Sequence, residues 1–136
     1  MIDDIVYNKV AIIERCLHRI NQEYENNPEN LKNFTKQDSI ILNIQRACEA
    51  SIDLAMHIVA VRALGIPQNS RDAFDLLAAD QIIDEELAKR LKGMVGFRNV
   101  AVHNYQNLDL GIVQGVIENN LQDLVNFGQL LLRKSD

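Results

Sequence analysis

The sequence predicts an all-α bundle of four long helices plus one short helix. Three observations carry that expectation. Apolar residues recur at three- and four-residue spacing almost from end to end, the mark of helices that bury one face. The interruptions are short, and each is built of Asn, Asp, Ser, Gly or Pro residues that end one helix or start another. No segment alternates apolar and polar residues with the period of a strand, and there is no internal repeat or low-complexity tract. At 136 residues, 47% of them apolar, the chain is long enough for one domain with its own core, expected to span residues 1–136.

Taken in order, Ile5, Val6, Val10, Ile13, Cys16, Leu17, Ile20 and Tyr24 predict a first helix to about Glu25. Asn26-Asn27-Pro28-Glu29-Asn30 breaks it. Thr35 is expected to open the second helix, with Asp38 three residues on as an approximate capping box. That helix runs to about Leu64, where Gly65-Ile66-Pro67 stops it. Ser70 is expected to cap the short third helix, through Ala79. Asp84 caps a fourth, carrying Leu87, Leu91, Met94, Val95 and Phe97. Asp109 caps a fifth, carrying Ile112, Val116, Leu121, Leu124, Val125, Phe127 and Leu131.

The net charge of −5 argues against a general nucleic-acid coat protein, which would be basic, and leaves room for a localised site. Lys89, Arg90 and Lys92 read best as a solvated helix face, because Glu85 and Glu86 lie one turn ahead. No apolar run approaches a membrane span and the N-terminus is acidic, unlike a secretory signal, so a cytoplasmic protein without a membrane role is expected. Cys16 and Cys48 sit inside helical patterns and read as reduced core thiols. No group of His, Cys, Asp or Glu has recognisable metal-ligand spacing, and neither metal nor cofactor is expected.

Two features need a reason. From Ile40 to Ala63 the second helix is apolar or small at most positions, which makes it the expected central helix. Its polar exceptions Arg46, Glu49, Asp53 and His57 form one stripe, either an internal ladder of Arg46–Glu49 and Asp53–His57 pairs or a face turned toward a site. Gly93 and Gly96 lie inside the fourth helix, where each costs about 1 kcal/mol relative to Ala. Close approach to a neighbouring helix or across a dimer axis would explain them, as would a kink.

The residues best suited to chemistry are Arg98-Asn99-Val100-Ala101-Val102-His103-Asn104-Tyr105. Arg holds a permanent charge shaped for phosphate, and His exchanges a proton near neutral pH. At about 100° per residue, Arg98 and His103 differ by roughly 140° on a straight helix and do not share a face. Their convergence needs the helix to end or bend near Val102, or a second copy of the motif. Asn104 and Asn107 favour an ending there. On residue chemistry alone the alternatives are structural. His103 would meet the last helix carbonyls, Arg98 would pair with the acidic stripe, and Tyr105 would be a half-buried hydrogen-bonded ring.

Arg-Asn-x-x-x-His-x-Tyr at the end of a helix, in a short all-α chain, resembles the HEPN superfamily and within it the HepT-type toxins. The resemblance extends to Ile44–Ala55 in the second helix and to Leu64-Gly65-Ile66-Pro67 followed by Ser70-Arg71-Asp72, so it covers most of the chain. It implies a HEPN-type helical bundle. It also implies a toxin endoribonuclease acting on RNA without metal, as a homodimer whose two motifs face each other across a cleft. The implied partner is a minimal (MNT-type) nucleotidyltransferase antitoxin, which attaches AMP to the motif tyrosine, here Tyr105.

That activity suits the residues. His103 would remove the proton from the RNA 2′-OH, Arg98 would bind the scissile phosphate and stabilise its growing charge, and Asn99 would orient either group. AMP on Tyr105 would bring a competing phosphate near Arg98. Glu49 and Asp53 would support Arg98 or His103, or belong to the partner surface. Two other functions fit the pattern: a non-catalytic nucleotide- or RNA-binding HEPN module, and a helical dimer that only presents Tyr105 to the nucleotidyltransferase.

Overall fold

A computed structural model describes residues 3–135. The described residues are helical with no strand, as the apolar spacing predicts. Helix α1 spans Asp4–Tyr24, and its N-cap Asp3 accepts from the backbone N–H of Ile5 and Val6. Its buried face is Val6, Val10, Ile13, Cys16, Ile20 and Tyr24, while Ile5, expected in the core, is exposed. The break after Glu25 is a 3-10 turn, Pro28–Lys32, that buries Leu31.

Helix α2 spans Phe34–Val61 and is the central helix, with twelve buried residues between Ile40 and Val59. Both of its expected ends are corrected. Asn33, not Thr35, is the N-cap and accepts from the Lys36 N–H at 3.1 Å. Asn ranks with Ser and Asp as a cap, so one lying two residues ahead of Thr35 starts the helix first. At the other end Ala63 turns left-handed (φ 52°), and the Leu64 N–H closes back on the Val59 carbonyl at 3.0 Å, ending the helix at Val61 rather than Leu64.

The same correction applies to α3, Ser70–Ala79: the cap is Asn69, which accepts from the Asp72 N–H at 2.9 Å, and Ser70 is the first helical residue. Helix α4, Glu85–His103, is capped by Asp84 as expected, and its last residue His103 lies one past Val102, near which an ending was expected, with Asn104 as C-cap. A 3-10 turn at Tyr105–Asn107 leads to the expected Asp109 cap.

The fifth predicted helix is interrupted. It runs as α5 (Leu110–Gly115), a π turn (Val116–Asn120) and α6 (Leu121–Ser135), with the backbone right-handed helical at both junctions. The buried stripe accounts for the π turn. Val113, Val116, Leu121, Leu124, Phe127 and Leu131 are buried, and five residues separate Val116 from Leu121. In a regular helix that step would swing Leu121 about 140° off the stripe. A turn with i→i+5 hydrogen bonds takes up the extra residue. It also presents Glu118, whose carboxylate accepts from the hydroxyl of the buried Tyr24. Ile112, predicted for the core, is 57% exposed, and Val113 is buried instead.

Helices α1, α2, α4 and α6 enclose one continuous core, with Phe74 of α3 meeting Phe127 of α6 edge to face at 5.6 Å. Cys16 and Cys48 are buried and unpaired in it, as expected. No described helix is long and apolar enough to cross a membrane.

Candidate active site

Arg98 sits on the side of α4 that faces α3. One guanidinium Nη donates to Ser70 Oγ at 3.5 Å, while Nε is buried with no partner among the described residues. The charge also lies close enough to Cys48 on α2 to lower that thiol's pKa, although burial dominates and pushes it up to about 12. No described carboxylate pairs with Arg98, which corrects the expectation of an ion pair with the acidic stripe of α2. Arg98 and Asn99 line a depression of about 560 Å³ between α3 and α4, together with Ser70, Arg71, Lys92 and the carboxylates of Asp72 and Asp75. Lys92 is neutralised there by Asp75 at 2.8 Å. Arg71 lies across Gly96, whose hydrogen a methyl could replace only 2.8 Å from the guanidinium.

His103 is the last residue of α4 and is exposed, with no side-chain partner among the described residues. The helix therefore stays regular through the motif, and the five-residue step separates Arg98 and His103 around its axis. Arg98 turns inward to Ser70 and His103 turns out to solvent.

Two residues further on, Tyr105 occupies the 3-10 turn and is 39% exposed. Its hydroxyl donates to the carboxylate of Asp38 on α2, 67 residues away in the chain. Partial burial, and then the adjoining Asp38 carboxylate, push the phenol up to about 12.

The stripe on α2 does not form the internal ladder. Asp53 pairs with Lys9 of α1 at 3.1 Å, and His57 meets Asp3 at 2.6 Å. Glu49 accepts from Gln45 at 3.0 Å, and Arg46 is exposed. For Asp53 and His57 the partner one turn away on the same helix is outcompeted by groups at the N-terminal half of the neighbouring α1. Of the basic cluster of α4, Lys89 and Arg90 are exposed as expected, with Arg90 bridging Glu86 and Asp123 at 3.3 Å each, whereas Lys92 is half-buried and turned to Asp75 of α3.

Beside α4, on the side toward α5, runs an apolar groove of about 540 Å³ lined by Gly93, Met94, Phe97, Val100, Leu108 and Ile112. A methyl on Gly93 would meet nothing within 4 Å. Among the described residues no neighbouring helix accounts for that glycine.

The family model described as "Ribonuclease HepT-like" matches residues 13–131. The chain belongs to the HepT-like family. It is 51% identical over 125 residues to the mRNA nuclease HepT of Shewanella oneidensis, covering 92% of this chain and 94% of that protein. The tRNA nuclease HepT of Aphanizomenon flos-aquae is 30% identical over 107 residues, 77% of this chain and 72% of its own. The solved structure of the tri-AMPylated Shewanella oneidensis HEPN toxin in complex with MNT antitoxin superimposes with a TM-score of 0.89 at 50% identity, over 95% of this chain and 97% of that one. The HEPN-type bundle expected from the motif is thereby established.

Two residues that meet the motif were missed by sequence reasoning. Ser70 and Asp38 were both assigned to helix starts, and both instead receive hydrogen bonds from motif side chains. A usable signal was present: Asn33 and Asn69 precede the two helices and satisfy their first turns, leaving Asp38 and Ser70 without a capping role.

Proposed function

We propose that this HepT-like chain is the toxin of a toxin–antitoxin pair. In this reading it is a metal-independent endoribonuclease whose site, Arg98, Asn99 and His103, is completed by a second copy of the chain. The observation that carries the reading is Arg98. In an acidic protein it is a half-buried cation with no acidic partner among the described residues, held by one long hydrogen bond beside an open depression. A half-buried guanidinium that no described carboxylate pairs with can take an anion, and phosphate fits its fork.

The RNA supplies its own nucleophile. His103 takes the 2′-OH proton as that oxygen attacks the adjacent phosphorus, and Arg98 stabilises the charge developing on the non-bridging oxygens. The 5′-oxygen leaves with a proton from the second copy's His103. The products are a 2′,3′-cyclic phosphate and a 5′-hydroxyl. The roughly 140° between Arg98 and His103 supports a shared site, because one copy alone aims them apart. The apolar groove and open Gly93 on α4 offer a surface for that second copy.

Neutralisation runs through Tyr105, modified with AMP by an MNT-type nucleotidyltransferase. Its exposure two residues beyond His103 supports this, as does the AMPylated relative. The decisive experiment incubates pure protein with labelled RNA in EDTA. Wild type cleaves it, and His103→Ala loses about two orders of magnitude or more. Cleavage that EDTA abolishes, or that survives in both His103→Ala and Arg98→Ala, overturns the reading.

A further inference from the structure

Asp38 has no part in RNA cleavage as derived above, yet it is bound to the one side chain through which that cleavage is proposed to be switched off. The contact is long-range, joining the start of α2 to the turn that follows α4. Asp38 is exposed and forms no ion pair with a described residue, so its carboxylate faces the phenol without a neutralising cation. An ionised carboxylate only accepts, so the phenol oxygen must donate, and its proton already points at Asp38.

We propose that Asp38 is the general base for nucleotidyl transfer onto Tyr105, supplied by the toxin to its own modification. This deepens the neutralisation reading above and rests on it. As the Tyr105 oxygen attacks the α-phosphorus of a nucleoside triphosphate held by the nucleotidyltransferase, an O–P bond forms and the bond to the β-phosphate bridging oxygen breaks. Pyrophosphate leaves with its electron pair, and the phenolic proton passes to the Asp38 carboxylate. No electrons are exchanged with a further reagent.

The magnitudes favour this route over attack by free phenolate. With the phenol pushed up to about 12, only about one molecule in 10⁵ is ionised at pH 7. A base already hydrogen-bonded to the proton removes that fraction from the rate, as the catalytic carboxylate of a kinase does for a substrate hydroxyl.

The test is single-turnover transfer from ATP and Mg²⁺ by the cognate nucleotidyltransferase, followed by intact mass, for wild type, Asp38→Asn, Asp38→Glu and Tyr105→Phe. Asparagine keeps the shape and an acceptor oxygen, so it retains the tie to Tyr105 but takes up no proton. Transfer to wild type should be nearly independent of pH between about pH 6 and 9, where carboxylates are ionised. Asp38→Asn should transfer at least about 100-fold more slowly at pH 7 and gain about tenfold per pH unit, as phenolate becomes the nucleophile. Asp38→Glu should restore the flat profile. RNA cleavage by Asp38→Asn should match wild type, which separates a lost base from a lost fold. Wild-type transfer rate and profile in Asp38→Asn overturn this proposal while leaving the neutralisation reading intact. Undiminished modification of Tyr105→Phe, or none of wild type, overturns both.

Discussion

Gly93→Ala separates what α4 does within one chain from what it does between two. Gly93 lies in the interior of a 19-residue helix, and a methyl there meets no atom within 4 Å. The substitution therefore carries no steric cost in the isolated chain. It should gain the propensity difference between Ala and Gly, about 1 kcal/mol, equivalent to about 3–5 °C in Tm for a domain of this size. In the proposed dimer, with the two α4 helices near the two-fold axis, two methyl groups enter the interface at once. Overpacking of that kind costs about 1–3 kcal/mol and would weaken dimerisation roughly 5- to 150-fold. The assay pairs sedimentation equilibrium with thermal melts over a wide concentration range. Expected are a higher Tm in dilute, monomeric samples and a weaker dimer. An unchanged dimer constant would remove Gly93 from the axis. A lower Tm in the monomeric regime would refute the local reasoning itself.

Three further outcomes are expected. Phe127→Ala removes a fully buried ring packed edge to face on Phe74 and should cost about 3–5 kcal/mol, read from urea unfolding. Cys48, buried and pushed up to about 12, should resist thiol reagents in the folded protein at pH 8 and react at once in urea. The hydrogen bond from His57 holds the Asp3 carboxyl below its ordinary value of 3.8. A lowered carboxylate stabilises the fold above its unfolded pKa, and that contribution disappears as pH falls through the folded one. Between about pH 5 and pH 3, wild type should lose more of its urea midpoint than Asp3→Asn, which keeps the cap but cannot titrate.

The fold was legible wherever apolar spacing decides it. The central position of α2, the Asp84 and Asp109 caps and the buried faces of α1 and α4 all follow from period and local capping chemistry. The π turn was also written in the chain, as the five-residue step from Val116 to Leu121, but a search for three- and four-residue spacing passes over it. Partners across the tertiary structure were not legible. Asp53 and His57 are close in sequence and looked like a pair, yet each is taken by a group on α1. Capping failed for a related reason. Several polar residues near a helix start can serve as the cap, and only the fold says which are free for other work.

That freedom bears on how the motif is held. Arg98 and Tyr105 stand on either side of His103, near the end of α4, where a helix frays and a catalytic group would lose its aim. Ser70 ties Arg98 to the first turn of α3, and Asp38 ties Tyr105 to the first turns of α2. Both anchors belong to helices whose ends are already secured by Asn69 and Asn33. The motif is therefore gripped from two separate elements, and His103 between them is the group left to move into solvent, toward a substrate or a second copy. An arrangement that ties Arg98 while leaving His103 exposed suits the proposed site, completed from outside the chain. It also makes the Asp38–Tyr105 tie the natural point of control. A nucleotide joined to Tyr105 takes the donor away from Asp38 and sets a like charge against it, and in the proposed reading its phosphate competes with RNA for Arg98.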